Sequence, residues 1–361
     1  MERKKTRRLY VGGVSVGGGA PVRVQSMTNT FTADIDATVE QIRRLERAGC
    51  EIVRVSVPDE ESARAIKEIK RRISIPLIAD IHFNWRLAIE SVKYGADGLR
   101  LNPGNIGSTE RVKEVVRCAS ERGVPIRIGV NSGSLEKELL EKYGHPTPEA
   151  MVESALRHVR ILEDAGFQDI KISLKASDLW TTIKAYRLIS TKVDYPLHVG
   201  ITEAGTLFSG TVKSATGIGI LLAEGIGDTI RVSLTADPVE EVRVGWEILK
   251  ALGLRKRGVN VIACPTCGRI KIDCIELAER IERELSHIST PLNVAVMGCV
   301  VNGPGEAAHA DVAIAGGNGV AMLYVGGRPV EKLREDEVVE RVVKEVERLS
   351  ESKEEATFRA G

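Results

Sequence analysis

Aromatic side chains are scarce in this sequence: Phe, Trp and Tyr make up 4% of 361 residues. Packing must therefore rest on Val, Ile, Leu and Ala, and the 43% hydrophobic content is enough for a sizeable core. An excess of either charge is also lacking, with 51 Lys and Arg against 50 Asp and Glu. Proteins that grip nucleic-acid backbones need a basic surplus, so the balance argues against that class and any anion site must be built locally. No apolar run reaches transmembrane length. The basic start, Met1 to Arg8, runs into Gly12, Gly13, Gly17, Gly18 and Gly19 rather than the apolar core of a signal peptide. A cytoplasmic protein is expected. Six cysteines in a chain of this length do not suggest a disulfide framework. No low-complexity tract or short repeat occurs.

A repeating unit fills the region from Pro21 to about Leu252: a short β-branched run, then a polar helix-forming stretch. Eight strands are expected, at Val22–Met27, Ile52–Val57, Leu77–Ile81, Gly98–Leu101, Ile126–Val130, Ile170–Leu174, Leu197–Ile201 and Thr229–Leu234. Gly49, Gly95, Gly123 and Gly166 stand just past expected helix ends. Alternating strands and helices imply parallel pairing with right-handed crossovers. Eight units in this length suit an α/β fold of the (β/α)8 TIM-barrel kind. An open doubly wound sheet is the alternative, but no G-x-G-x-x-G turn follows the first strand. Thr6–Gly19 reads as a hairpin closing the barrel bottom.

The rhythm breaks at Arg255-Lys256-Arg257-Gly258, which divides a barrel domain, 1–254, from a small α+β domain, 259–361. There the pattern gives strands Val259–Ala263 and Leu292–Met297, a helix Lys271–Leu285, a strand pair Asp311–Ala315 and Ala321–Val325, and a charged helix from about Glu335 to Ser350. The last ten residues are expected to be frayed.

Buried strands should be apolar, yet several carry cations. Arg54, Arg100, Arg127, Lys175 and Arg231 lie in five different strands. Asp80 and His82 end the third strand, and Thr202 and Glu203 end the seventh. Strand C-terminal ends form the active-site face of a barrel. Five cations converging there would repel one another, and burial of each is costly unless it is paired. Any one of them could pair with Asp80 or Glu203, or face outward. Together they fit a multiply charged anion, a diphosphate being the natural choice, since the arginine fork matches phosphate oxygens. Asn102 and Asn131 follow the same strands as further donors. His145, His158 and His287 read as surface or packing residues, and His198 has a weak claim to the site. Glycines at Thr216–Gly219 and Gly225–Gly227 suit either a phosphate loop or tight turns.

Four of the six cysteines fall between positions 264 and 299. Cys264-Pro265-Thr266-Cys267 follows one expected strand, and Cys299 follows another on a Gly- and Pro-rich loop. Three thiolates are one short of the usual set for a [4Fe-4S] centre. Glu306, Cys274 and His309 are candidates for the fourth ligand, with Cys274 more at home in a core. A zinc site of three cysteines completed by Cys274 or His309 is a fair rival. Cys50 and Cys118 read as packing residues.

Several long motifs occur in one order: Pro21–Thr30, Ala79–Phe83, Leu99–Gly104, Arg127–Gly133, Gly217–Leu234, Cys264–Arg269 and Met297–Ala307. Through them the chain closely resembles the bacterial 4-hydroxy-3-methylbut-2-enyl diphosphate synthases of the non-mevalonate isoprenoid pathway. The resemblance implies a barrel followed by a [4Fe-4S] domain similar to part of sulfite and nitrite reductases. It implies Cys264, Cys267, Cys299 and Glu306 as cluster ligands. Arg54, His82, Arg100, Asn102, Arg127, Asn131, Lys175, Arg231 and Ser233 match the family's diphosphate-binding positions, beside which Asp80 is taken as a substrate-site residue. Thr202, Glu203 and Glu306 are the implied catalytic residues. Further implications are 2-C-methyl-D-erythritol 2,4-cyclodiphosphate as substrate, ferredoxin or flavodoxin as electron donor, and a head-to-tail homodimer. Two rivals stand beside this: a non-catalytic iron–sulfur or zinc redox sensor with a metabolite-binding barrel, and a zinc-bearing barrel enzyme of the pterin-synthase type.

Overall fold

The structure is a computed structural model and describes residues 2–360. The chain divides into two compact units, Met1–Arg255 and Lys256–Gly361.

The first unit opens with an antiparallel hairpin, β1 (Leu9–Val11) and β2 (Val14–Val16). Eight parallel strands follow: β3 (Arg23–Met27), β4 (Ile52–Ser56), β5 (Leu77–Asp80), β6 (Gly98–Arg100), β7 (Ile126–Asn131), β8 (Ile170–Lys175), β9 (His198–Val199) and β10 (Thr229–Ile230). Their order in the sheet is β8-β7-β6-β5-β4-β3-β10-β9. A parallel bridge between Ile172 and Leu197 joins the two ends and closes the barrel. At this seam the Tyr186 hydroxyl accepts from the Leu174 amide at 3.1 Å and donates to the His198 carbonyl at 2.5 Å. The last two strands are shorter than expected. Gly200 has the Arg231 carbonyl 2.3 Å from where a Cβ would stand, so the segments that follow β9 and β10 run close together there.

Strand alternation sends one set of side chains out to the helices and the other inward. Val53, Val55, Ala79, Leu99, Ile128 and Leu174 join the main core with the apolar stripes of the surrounding helices. Helix Ile35–Ala48 shows the local logic: Asp34 accepts from the Ala37 amide at its start, and Gly49 (φ 99) ends it by donating to Glu46 and Leu45. Gly95, Gly123 and Gly166 also have positive φ. Beneath the interior, hairpin residues Leu9, Val11 and Val16 pack on Ile52 and Ile78 and plug the bottom of the barrel.

The second unit is an α+β domain whose five-stranded sheet has the order β11 (Val259–Ala263), β12 (Leu292–Met297), β13 (Val312–Gly316), β14 (Val320–Val325), β15 (Arg328–Arg334). The first three strands run parallel and the last two antiparallel. Helices Cys274–Glu284 and Val338–Ala360 pack on it through Leu277, Ile281, Val342 and Val346. Where a frayed tail was expected, the last helix runs on to Ala360; Gly361 lies outside the described residues. Lys353 anchors it to Asp311 at 3.1 Å, and Glu354 accepts from Thr290 at 2.8 Å. Among the described residues no helix is long and apolar enough to cross a membrane.

Candidate active site

A cavity of about 240 Å³ opens at the C-terminal ends of the barrel strands. It is lined by Arg54, Asp80, His82, Arg100, Arg127, Asn131, Ser173, Lys175, Thr202, Arg231 and Ser233. Inward positions of successive strands supply these groups, so the five cations share one space.

Asp80 sits at its centre. Its carboxylate lies 3.5 Å from Arg54 Nε, 3.3 Å from Arg100 Nη1 and 3.8 Å from His82 Nε2. Burial alone would raise this carboxyl, but Arg54, Arg100, Arg127 and His82 together hold it below its ordinary value. Arg231 has a separate partner, Glu241 on helix Pro238–Ala251, at 3.3 Å. Two carboxylates against five cations leave a surplus of three positive charges in the absence of an anion. The cost is visible in the bases. Burial, with repulsion from Arg231 and Arg100 and with Asp80 and Glu241 opposing, brings the Arg54 guanidinium down to about 10. Arg127 and Lys175 are also held well below their ordinary values, chiefly by burial and then by neighbouring cations. The buried Nε atoms of Arg100 and Arg127 have no hydrogen-bond partner among the described residues. Buried donors of this kind call for an acceptor.

Two placements differ from a simple ring of ligands. Asn102 fastens two strands together: its side chain donates to the Gly129 carbonyl at 3.1 Å and accepts from the Gly129 amide at 2.9 Å. Glu203 stands outside the cavity lining, exposed, with φ 52. A non-glycine residue in the left-handed region is strained, a frequent mark of functional loops. The glycines at 216–219 form no phosphate loop. They lie inside helix Leu207–Ala223, where Ile201 and Leu179 pack 2.6 Å from a Cβ position at Gly217. His158 is a packing residue, accepting from the Gly104 amide at 3.1 Å and meeting Glu136 at 3.1 Å.

Sequence reasoning missed Ser173, Glu241 and the Met27 sulfur, which accepts from Arg54 at 2.9 and 3.1 Å. Ser173 had a signal: it stands two residues before Lys175, on the same face of β8. Glu241 had none, since a helical glutamate ordinarily faces water.

In the second unit, Cys264 and Cys299 follow the neighbouring parallel strands β11 and β12, where Ala263 lies opposite Val296. The Cys264 amide donates to the Val296 carbonyl at 2.9 Å. Cys264 and Cys299 are half-buried, Cys267 is exposed, and none of the three is in a disulfide. Cys274 is buried, and its thiol donates to the Val296 carbonyl at 3.3 Å, as suits a core residue. Burial, with Cys264 and Cys299 nearby, raises that thiol. The open loop expected after Cys299 is instead a short helix, Gly303–Ala307, begun by Pro304 and carrying an exposed Glu306. Among the described residues no three His, Cys, Asp or Glu side chains are gathered as they would be around a metal ion. Three reduced thiols and a carboxylate, donors of the kinds that iron and zinc accept, stand on the segments that follow β11 and β12.

Two family models match the chain, the GcpE TIM-barrel domain over residues 6–246 and the GcpE protein C-terminal domain over residues 260–348. A relative from Symbiobacterium thermophilum is 63% identical over 347 residues, covering 96% of this chain and 94% of its own. One from Caldanaerobacter subterraneus is 63% identical, with coverage of 96% and 98%, and one from Geobacter sulfurreducens is 62% identical, also with 96% and 98%. All three bear the name 4-hydroxy-3-methylbut-2-en-1-yl diphosphate synthase (flavodoxin). With both units matched at this identity, the chain belongs to the GcpE family.

Proposed function

We propose that this protein is an iron–sulfur oxidoreductase that converts 2-C-methyl-D-erythritol 2,4-cyclodiphosphate to (E)-4-hydroxy-3-methylbut-2-enyl diphosphate. Two electrons and two protons open the ring and release one water. Flavodoxin, named in its relatives, is the donor. The observation that carries this reading is the barrel cavity, where five cations and two unpartnered guanidinium nitrogens surround a space with too few counter-charges. A cyclic diphosphate supplies two negative charges and ligates several forks at once.

Arg54, Arg100, Arg127, Lys175 and Arg231 bind the diphosphate, with His82, Asn131 and Ser233 as neutral or edge donors and Asp80 holding the arginines in place. Asn102 acts through the Gly129 strand it fixes. Thr202 reaches the cavity from the end of the barrel wall, and Glu203, the next residue, would move a proton at the mouth. Cys264, Cys267, Cys299 and Glu306 would hold a [4Fe-4S] cluster, which when bound supplies single electrons. A carboxylate is a weaker iron ligand than a thiolate, which suits Glu306 to a position that exchanges.

The working unit is a head-to-tail homodimer, the cluster unit of one copy serving the barrel of the other. Support comes from Phe31 and Phe83 on barrel loops and Phe208 in the first turn of helix Leu207–Ala223, which are 89, 73 and 83% exposed, and from Val300 and Val301, exposed beside Cys299. Such apolar patches are costly to leave in water. The redox-sensor alternative has no observation in its favour. Anaerobic incubation with the cyclic diphosphate and dithionite-reduced flavodoxin tests the reading: the linear diphosphate should form. Zinc in place of iron and sulfide, or no turnover by iron-loaded protein, would overturn it.

A further inference from the structure

Beneath the side chains that line the cavity, the barrel interior is polar where most barrels are aliphatic. Gln25, Lys171, His198 and Thr229 are at most 2% exposed. His198 Nδ1 meets the Thr229 hydroxyl at 2.7 Å. His198 Nε2, both side-chain polar atoms of Gln25, and Lys171 Nζ have no hydrogen-bond partner among the described residues. Lys171 is the anomaly, because a buried ammonium needs a counter-ion. It stands on β8 in register with Arg127 of β7, whose guanidinium lines the cavity.

The charged and titratable groups around Lys171 are Arg127 on β7, Arg54 on β4, His198 on β9 and Asp228 just before β10. Two are fixed cations and one is a neutral, buried imidazole held well below its ordinary value, mainly by burial. Asp228 is the one anion, and it is already engaged by Arg3 at 3.0 Å, the Thr6 hydroxyl at 3.0 Å and the Leu197 amide at 2.9 Å. The free protein thus offers Lys171 no counter-charge of its own.

We propose that Lys171 is a positioning residue forming the floor of the anion site, and that the diphosphate binds together with a proton taken from solvent by the Lys171 amine. This rests on the diphosphate reading of the cavity. The Nζ lone pair accepts the proton, the ammonium becomes the sixth cation, and no electrons move. The bound dianion supplies the negative charge that Lys171 lacks, acting from above through Arg127. The free amine is poised for it: burial first, then Arg127, lowers it from 10.5 to about 7, Asp228 opposing. At pH 8 such a group is about nine-tenths neutral. A cyclic diphosphate does not itself titrate near neutrality, so the proton count reports on the protein.

The test is isothermal titration calorimetry of the oxidised holoenzyme with the cyclic diphosphate, without reductant, at pH 8 in two buffers of different ionisation enthalpy. The wild type should take up more protons than Lys171→Met, by about half a proton or more. Any proton taken up elsewhere in the site is common to both proteins, so the difference isolates Lys171. Lys171→Arg carries a permanent charge and serves if the Met variant does not fold; it too should lose that uptake while keeping affinity. Uptake equal in wild type and either variant, to within a tenth of a proton, would overturn the proposal alone. Failure of the wild type to bind would overturn the diphosphate reading and this inference with it.

Discussion

Replacing Asp80 with Asn should weaken the free protein and strengthen its grip on an anion. The Asp80 carboxylate has a side chain 5% exposed and holds Arg54 at 3.5 Å and Arg100 at 3.3 Å. Removing one member of a buried ion pair costs about 3–5 kcal/mol, because the partner charge is left uncompensated. For a unit of this size that is a fall in Tm of roughly 6–20 °C. The same change deletes the negative charge nearest to a bound diphosphate. At roughly 6 Å and an effective dielectric near 20, that charge opposes binding by on the order of 2–3 kcal/mol. Differential scanning calorimetry with rising inorganic pyrophosphate separates the two effects, since stabilisation grows as RT ln(1 + [L]/Kd). The variant should start lower and climb further. The pH dependence has a definite sign. The folded-state pKa of Asp80 lies below the ordinary 3.8, so its stabilisation is present above that value and is lost as pH falls through the depressed one. The gap between wild type and Asp80→Asn should accordingly close in strong acid. An unchanged Tm in anion-free buffer, or weaker pyrophosphate binding by the variant, would refute this account of Asp80.

Glu241→Ala leaves Arg231, the Ser26 hydroxyl and the Leu234 amide without their acceptor and should cost about 3–5 kcal/mol in urea unfolding; a loss under about 1 kcal/mol counts against the pairing. Gly129→Ala places a Cβ 2.5 Å from Arg100 Nε, in a spot where Arg100 is already held by Asp80 and the Gly129 carbonyl. The expected strain of about 1–3 kcal/mol should appear as pyrophosphate affinity lowered tenfold or more, and undiminished affinity would contradict it. Cys274→Val should keep its iron and sulfide content after anaerobic purification, whereas Cys299→Ser should lose most of both. Equal loss in the two variants would return Cys274 to the ligand set. Mixed unfolded and co-refolded Arg127→Met and Cys299→Ser chains, each inactive alone, should regain part of the activity if cavity and cluster in one working site come from different copies. No recovery would favour sites built within one chain.

The barrel was legible because β-branched runs, polar helix-forming stretches and helix-closing glycines are local signals. Arg54, Arg100, Arg127, Lys175 and Arg231 stood out as cations in strands that should be apolar, and the fold brings all five to one cavity. What stayed hidden depends on distance across the structure. Glu241 lies on a helix in a run of charged residues, and only the approach of that helix to β10 turns it inward onto Arg231. The helix Gly303–Ala307 was hidden by its own glycines, which argue locally for an open loop. Lys171 was obscured for a different reason. Alternation tells which side chains enter a barrel but not how deep they lie, so Lys171 and Lys175, on one face of one strand, look alike in sequence. Depth changes their chemistry. Lys175 lines the cavity, while Lys171, four residues earlier on the same strand face, is surrounded by Arg127, Arg54, His198 and an already committed Asp228. A cation in the upper position binds; one in the lower position can only answer the charge that arrives above it. The proton that Lys171 gains or lacks is therefore the measurable difference between a wall of the site and its floor.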